Sequence, residues 1–386
     1  MDSHSAFYSF LSIINPEAIG VKIMFDDIIK SAKEGTSSTP AEKQSAKTEE
    51  ESDASAVRIS VIGVGGAGCN CVNRIANSGI KSARTIAINT DGKHLNMVNA
   101  DKKILIGRTI TRGLGAGGDI NIAKKCAEAD HQMLKDEIGE NELIFLCAGM
   151  GGGTGGGAAP VVANIAKQQG AIVVAMVTYP FALERVRLKK AQESIRNLVR
   201  ECDTVVVIDN NRLAAYAPNL PINKAFELAD SITSRAVRGI ADTIMFPSLI
   251  NVDYADVKTV MENGGLSMIS LGEAGGHDKV ENVVKNTLEH PLLDVDYEDA
   301  KGCLIHLEGG ADLSLGDAIK IGEQMTQSFS EDSAIKMGAR ISPELKSSIR
   351  VTAIVTGVKS PYIFQRGEDA ERRLEGKEEE EGIQYL

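Results

Sequence analysis

The segment Gly149-Met-Gly-Gly-Gly-Thr-Gly-Gly-Gly157 decides the fold, because seven of its nine residues are glycine and a threonine stands among them. The apolar run Leu143-Ile-Phe-Leu-Cys147 before it predicts a buried strand, and 158–167 after it predicts a helix with Pro160 near its start. Glycine lets backbone N–H groups turn toward a ligand, and a helix N-terminus adds partial positive charge. The segment therefore predicts an anion site between a strand and a helix.

This glycine loop differs from a Walker P-loop, because Ala158 and Ala159 stand where that motif has Lys-Ser/Thr. A phosphate here would be held by backbone amides and the Thr154 hydroxyl, and a cation or another segment would meet its remaining charge. The alternative interpretation is a flexible linker. It is disfavoured because linkers do not lie between a short apolar strand and a proline-started helix.

A second glycine loop, Gly63-Val-Gly-Gly-Ala-Gly68, fits the pattern G-x-G-x-x-G after a predicted strand over 58–62. Asp91 follows at the end of the next predicted strand, so this loop alone is typical of a nicotinamide-dinucleotide oxidoreductase. Two such loops after two strands of one domain form a narrower pattern. A third loop, Gly113–Gly118, ends at Asp119, a favourable helix N-cap.

Alternating strands and helices from residue 57 onward predict an α/β fold with a parallel sheet that binds ligands at the carboxyl ends of its strands. Asn223 is predicted to cap a long helix that ends near Met245, before Pro247. Beyond it a smaller α/β domain is predicted, with helices over 256–262 and 315–328 and strands over 302–307 and 349–355. The predicted strands before the long helix are 58–62, 85–89, 104–106, 143–147, 171–177 and 204–208.

The composition excludes several classes of protein. Residues 1–56 carry five Lys or Arg against ten Asp or Glu, and 360–386 carry four against eight, so nine of the eleven net negative charges lie in these two segments. The nearly neutral remainder disfavours nucleic acid as a partner. The sequence contains no run of 18 apolar residues, so no membrane span is predicted. The six cysteines and six histidines have no metal-site spacing, which favours free thiols and no dedicated metal cage.

Both end segments have the composition of disordered chain. Residues 1–56 are predicted to be a disordered extension with one short amphipathic helix near 24–32, and translation could begin at Met1 or at Met24. Residues 360–386 are predicted to be a disordered acidic tail. Its tip, 381–386, carries apolar side chains that have no core to enter, which indicates a docking peptide that orders on a partner.

With these pieces in order, the chain resembles FtsZ, the prokaryotic tubulin-like cell-division GTPase, and looks like an archaeal member. Gly149–Gly157 resembles the signature G-G-G-T-G-[TS]-G, and Asn251-Val-Asp-Tyr-Ala-Asp-Val257 resembles the synergy loop N-x-D-F/Y-A-D. The resemblance covers about Val57 to Val358. It implies a tubulin/FtsZ fold: a Rossmann-like GTP-binding domain over 57–221, a central helix over 222–246 and a C-terminal activation and polymerisation domain over 247–359.

The resemblance also implies which residues bind GTP or GDP. Asp230 would accept from guanine N1 and the exocyclic amine, since an acceptor-only carboxylate suits donors that adenine lacks there. The family usually has Thr or Ser where Gly156 stands. Many members have an arginine where Leu188 stands, so Arg185 and Arg187 are the alternative cations. The implied phosphate-binding residues are Gly65, Gly66, Ala67, Gly149, Met150, Gly151, Gly152, Gly153, Thr154, Gly155 and Gly156; the guanine and ribose contacts are Asn70, Glu184, Arg187, Asn210, Phe226 and Asp230.

The implied catalytic residues are Asn251, Asp253 and Asp256, which would enter the nucleotide site of the next subunit in a head-to-tail filament and position the attacking water. Mg²⁺ would arrive with the nucleotide. The implied partners are further copies of the chain and a membrane adaptor or division protein at the C-terminal peptide. The implied location is cytoplasmic, at the mid-cell division site. The alternatives are a non-catalytic filament protein, an FtsZ/tubulin-like cell-shape filament and the nicotinamide oxidoreductase.

Overall fold

The computed structural model describes residues 57–211, 222–246, 248, 250–262, 264–289, 300–330 and 332–358. The predicted N-terminal extension, with its helix near 24–32, and the predicted tail over 360–386 both lie outside these residues.

Strands and helices alternate through the first half of the described chain. The strands from this half form a parallel array in the order β3-β2-β1-β4-β5-β6, which confirms the predicted parallel sheet. The elements are β1 (Ile59–Val64), α1 (Gly65–Asn77), β2 (Arg84–Asn89), α2 (Gly92–Met97), β3 (Lys102–Leu105), α3 (Arg108–Thr111), α4 (Ile120–Ala129), α5 (His131–Ile138), β4 (Leu143–Gly149), α6 (Gly153–Gln168), β5 (Ile172–Tyr179), α7 (Arg185–Glu201) and β6 (Thr204–Asp209).

These strands are apolar without interruption because both faces of the sheet are covered. Alternate residues of β1 enter different cores: Ile62 packs with α4–α7 on one face, and Val61 packs with α1 on the other. Burial on both sides removes the alternation of polar and apolar residues that marks a half-exposed strand. The loops at the carboxyl edge of the sheet are therefore carried by strands that are buried on both faces.

The second half begins with a helix of 24 residues and continues the same sheet. Strand β7 pairs in parallel with β6 over only three residue pairs, from Thr204↔Gly265 to Val206↔Ser267, and then runs antiparallel to β10. The full order is β3-β2-β1-β4-β5-β6-β7-β10-β8-β9. The elements are α8 (Ile222–Met245), α9 (Tyr254–Met261), β7 (Gly265–Ala274), α10 (Lys279–Leu288), β8 (Gly302–Gly309), α11 (Leu315–Thr326), β9 (Ala334–Ile341), a 3₁₀ turn (Pro343–Leu345) and β10 (Ile349–Thr356).

The starts of α6 and α8 differ from the prediction. Helix α6 begins at Gly153 and not at Ala158, so part of the glycine run is its first turn and Pro160 lies inside the helix. Glycine disfavours helix locally, but here a Cβ at Gly153 would lie 2.9 Å from the backbone nitrogen of Asp119, so close packing requires glycine. Helix α8 begins at Ile222, which places Asn223 within the first turn and not at the cap.

Candidate functional site

A cavity of about 460 Å³ opens at the carboxyl edge of the parallel strands, where the sequence predicted a ligand. It brings together most of the predicted nucleotide contacts from α1, the two glycine loops, α7, the end of β6 and α8. The lining residues are Val64, Gly66, Ala67, Asn70, Gly149, Met150, Gly152, Gly153, Thr154, Gly155, Thr178, Pro180, Glu184, Arg187, Asn210, Phe226, Ala229 and Asp230.

The two predicted phosphate loops lie against each other. Gly65 has a φ of 75°, and a Cβ there would lie 2.8 Å from the backbone nitrogen of Gly155, so only glycine permits this approach. Gly152 is the N-cap of α6, so the N-terminus of a 16-residue helix borders the cavity. Thr154 also borders it, and its hydroxyl shares a 2.8 Å hydrogen bond with the Thr90 hydroxyl. This end of the cavity suits a phosphate group.

Three of the predicted phosphate contacts, Gly65, Gly151 and Gly156, are not part of the cavity wall. Gly65 and Gly151 have positive φ angles of 75° and 84°, and a Cβ at either would lie 2.8 Å from a backbone atom, of Gly155 and Arg187 respectively. Gly156 is buried, and a Cβ there would overlap the Ser194 hydroxyl of α7. A hydroxyl carried by residue 156 would thus face α7 and not the cavity.

The other end of the cavity carries oriented polar groups and one aromatic ring. Asn210 is 5% exposed, and its Oδ1 has no hydrogen-bond partner among the described residues. A buried acceptor without a partner points to a ligand that donates to it. The ring of Phe226 is 43% exposed and packs edge-on against Phe181, with ring centroids 5.6 Å apart. Phe226 precedes Asp230 by one helical turn, so both face the cavity.

The Asp230 carboxyl is electrostatically perturbed. Burial raises its pKa to about 7, while the nearby Arg74 guanidinium lowers this pKa and the Glu227 carboxylate raises it. Desolvation without a hydrogen-bond donor disfavours the charged form. A ligand that donates hydrogen bonds to this carboxylate would therefore lower its pKa on binding.

Glu184 and Arg187 form an ion pair in the wall of the cavity. The Arg187 Nη1 donates to Glu184 Oε2 at 2.6 Å, and the Phe181 backbone N–H donates to Glu184 Oε1 at 3.1 Å. Of the two alternative cations, Arg187 lines the cavity and Arg185 does not. Glu184 thus fixes both the arginine and the start of the loop that carries Phe181.

The three predicted catalytic residues lie elsewhere. Asp253 is the N-cap of α9 and forms a capping box with Asp256, whose carboxylate also pairs with Lys336 at 2.7 Å. The hydrogen bond from Lys336 lowers the pKa of Asp256, so this carboxylate is ionised at neutral pH. Asn251 is exposed and its Oδ1 accepts from the Ser248 backbone N–H at 2.8 Å, which holds the loop in shape.

The length of β4 separates this loop from the cavity of its own subunit. The Tyr254 hydroxyl donates to the Glu142 carbonyl at 2.9 Å, immediately before β4, whereas Gly149 at the far end of β4 lines the cavity. The seven residue steps from Glu142 to Gly149, at about 3.3 Å each, give a separation of roughly 23 Å. The cavity and the acidic loop therefore occupy opposite ends of the parallel sheet.

Several cavity residues were missed by the sequence analysis. Val64 and Thr178 lie at the carboxyl ends of β1 and β5, the strands on either side of β4, so the predicted sheet edge could have indicated them. Pro180 and Ala229 line the cavity through packing that no sequence pattern reports. Thr90 reaches the site only through its bond to Thr154.

Comparison with known proteins identifies the family. Residues 58–218 match the model of the Tubulin/FtsZ family GTPase domain, and 265–359 match that of the FtsZ family C-terminal domain. The cell division protein FtsZ 2 of Methanocaldococcus jannaschii is 56% identical over 309 residues, which cover 79% of this chain and 81% of that protein. The chain belongs to the FtsZ family. The match to the GTPase domain makes it a GTPase that binds guanine nucleotide.

Other relatives agree with this assignment. Cell division protein FtsZ 2 of Haloferax volcanii is 48% identical over 340 residues, covering 88% of this chain and 84% of that protein. A solved empty FtsZ dimer of M. jannaschii aligns with a TM-score of 0.74 at 44% identity, covering 78% of this FtsZ-family chain and 88% of the solved one. CetZ2 of Haloferax volcanii, at 21% identity with a TM-score of 0.67, shares the fold. The predicted archaeal FtsZ resemblance and tubulin/FtsZ fold are confirmed.

The family assignment sets aside the nicotinamide oxidoreductase, and the structure gives Asp91 another role. Its carboxylate caps α2 by accepting from the His94 backbone N–H at 3.0 Å. Within the described residues, no cluster of three or more His, Cys, Asp or Glu could hold a metal ion. The same part of the chain contains no helix long and apolar enough to cross a membrane.

Proposed function

We propose that this FtsZ-family GTPase assembles head-to-tail, and that Asp253 and Asp256 of one subunit complete the nucleotide site of the next. The observation that carries the proposal is the placement of the acidic loop and the cavity at opposite ends of the same parallel strands. A loop on that side cannot serve its own cavity, but stacking the subunits would bring it to a neighbour's cavity. A heterologous interface that does not close produces a filament.

Exposed apolar side chains at both ends support this stacking. Near the cavity, Leu114, Leu183 and Val186 are 83%, 82% and 73% exposed. Near the acidic loop, Phe246 and Ile335 are 38% and 43% exposed. Exposed apolar groups at two ends of a molecule are typical of association surfaces. One solved FtsZ relative is a dimer and one CetZ2 structure is a protofilament, which favours self-association of this chain as well.

Within the site we propose that the phosphates lie along the N-terminus of α6 and the loop at Gly66, and the guanine lies between Phe226, Asn210 and Asp230. The cavity wall offers two carboxylates, and Glu184 is already paired with Arg187. Mg²⁺ would therefore be held by phosphate oxygens and water, and it would neutralise phosphate charge. The neighbour's Asp253 and Asp256 would orient the water that attacks the γ-phosphorus, releasing GDP and phosphate.

We further propose that the protein acts in the cell-division ring, as its relatives' names indicate. Recruitment to the mid-cell membrane through 381–386 and an adaptor is part of this proposal, and that peptide lies outside the described residues.

The concentration dependence of GTP turnover tests the proposed assembly. We expect the rate per subunit to be near zero below a threshold protein concentration and to rise sharply above it, because each complete site needs two subunits. Phosphate release is measured across a dilution series, with sedimentation of polymer in parallel. A rate per subunit that stays constant through the dilution series would refute the composite site.

Binding of guanine nucleotide should depend on pH through Asp230. Its pKa is about 7 without ligand, and guanine donors would lower it, so binding below pH 7 must release a proton. GDP affinity should then fall by up to about tenfold per pH unit below 7. Titration calorimetry at pH 6 in two buffers of different ionisation enthalpy measures the released proton. Asp230→Asn should reduce the difference between buffers to the part that comes from the terminal phosphate of GDP, which itself titrates near pH 6. A difference that is no larger for the wild type than for this variant would contradict the prediction.

A further inference from the structure

Three side chains form a hydrogen-bonded chain from the end of β2 to the wall of the nucleotide cavity. Asn89 is 2% exposed, and its Nδ2 lies 3.3 Å from the ring Nδ1 of His94. The other ring nitrogen, Nε2, lies 3.1 Å from Oδ1 of Asn70, and Asn70 lines the cavity. The backbone of His94 is itself held by the Asp91 carboxylate in the cap of α2.

The donor and the acceptor of each hydrogen bond among Asn89, His94 and Asn70 follow from one backbone group. The Asp91 backbone N–H can only donate, and it donates to Asn89 Oδ1 at 3.2 Å. The Asn89 amide nitrogen must therefore face His94, where the ring Nδ1 accepts from it. In a neutral imidazole the proton is then on Nε2, which donates to Asn70 Oδ1. The flip of both amides and the tautomer of the ring are thereby determined together.

This arrangement commits the Asn70 amide to one chemical role. Its oxygen is turned toward His94, and no hydrogen bond to its Nδ2 is formed by the described residues. The Asn70 amide nitrogen is thus available to donate to a ligand. Guanine carries an acceptor, O6, at the position where adenine carries an amino donor, so a fixed donor distinguishes the two bases.

We propose that His94 is a positioning residue for base recognition: it holds Asn70 as a donor to the 6-oxo group of guanine. The proposal rests on the proposed guanine site at Asp230 and adds a second discriminating contact to it. Asp230 recognises the donors on one part of the base edge, and the His94-oriented Asn70 recognises the adjacent acceptor. Without His94, the Asn70 amide is free to rotate and to present its oxygen instead.

The experiment compares two ligands that differ at the 6-position and at N1. Competition binding is measured for GDP and for the 5′-diphosphate of 2,6-diaminopurine riboside, in which an amino group replaces O6 and N1 carries no proton. In His94→Ala we expect GDP affinity to fall about threefold to tenfold, the value of one net hydrogen bond, while the analogue's affinity holds or rises. His94→Gln should keep most of the wild-type preference, because its amide can accept from Asn89 and donate to Asn70. Asn96→Ala, an exposed change on the same helix, is the matched control.

A double-mutant cycle separates orientation from stability. In an Asn70→Ala background, His94→Ala should no longer change the preference for GDP over the analogue. An equal loss of affinity for both ligands in His94→Ala, or an effect that persists without Asn70, would overturn the positioning role. Asp230→Ala distinguishes the two proposals. If Asp230→Ala loses the preference for GDP over the analogue while His94→Ala retains it, only this inference fails. If Asp230→Ala keeps that preference, the proposed guanine site fails.

Discussion

Replacing Asp253 by asparagine is expected to lower GTP turnover by about 10²-fold or more, and to leave GTP affinity unchanged. Asparagine is as good an N-cap as aspartate, so the start of α9 should be preserved while the charge that orients water is lost. Affinity should not change because Asp253 does not line the cavity of its own subunit. Phosphate release is measured at concentrations where sedimentation shows polymer, and nucleotide affinity is measured below them.

Two comparison variants make this result interpretable. Glu262→Gln removes a carboxylate at the other end of α9 and should retain wild-type turnover. Asp256→Asn should also lower turnover, with some additional loss of stability because its carboxylate pairs with Lys336 and completes the capping box. Wild-type turnover by both aspartate variants, in assembled protein, would exclude these residues from hydrolysis.

Replacing Asp230 by alanine is expected to weaken GDP binding by about 10- to 150-fold, the value of a hydrogen bond to a buried charged group. The preference for GDP over ADP should fall with it, because Asp230 accepts from guanine donors that adenine lacks. Asp230→Asn makes a sharper prediction, because its amide nitrogen can donate where the carboxylate could only accept. Xanthine has a 2-oxo acceptor in place of the guanine amine, so this variant should bind XDP more tightly than GDP.

The matched control for Asp230 is Glu227, an acid one turn earlier on α8 that pairs with Lys224 at 2.9 Å and does not line the nucleotide cavity. Glu227→Ala should keep the base preference of the wild type. Binding of GDP, XDP and ADP to each variant is compared at pH 8, where the wild-type carboxyl is ionised in the free protein. An Asp230→Asn variant that still prefers GDP to XDP would show that another group reads the base.

The parallel half of the fold could be predicted because its strands are uninterrupted apolar runs that end in glycine loops. Strand β4, for example, is buried from Leu143 to Ala148 and leads directly into the Gly149 loop. Strands β7 and β9 were missed because their apolar residues are interrupted by Ser, Gly, Lys and Arg. What stabilises β7 is pairing with β6 and β10, whose residues are distant in sequence.

The candidate site was predictable where a residue acts through its own chemical type and its place on an element. Asp230 and Phe226 lie one helical turn apart, so their shared face follows from helix geometry. The role proposed for His94 was not predictable, because it depends on contacts with α1 and with the end of β2. The sequence also could not show that Gly156 lies outside the cavity wall, since this depends on how α7 packs against α6.

The central claim is that hydrolysis needs residues of two subunits, and complementation between two inactive variants tests it most directly. Gly152→Asp should fold, because residue 152 is a helix N-cap and a Cβ there would lie 3.9 Å from its nearest neighbour, Gly149 O. Its carboxylate would repel phosphate, so this variant carries an intact acidic loop but no nucleotide. Asp253→Asn has the opposite defect.

Turnover by the equimolar mixture, with co-sedimentation of both variants recorded, is the decisive measurement. The loop of a Gly152→Asp subunit can enter the loaded site of an Asp253→Asn subunit, so the mixture should recover toward about one quarter of wild-type turnover if the head-to-tail interface forms at random. A co-assembled mixture whose turnover does not exceed that of the two variants measured separately would contradict the shared site.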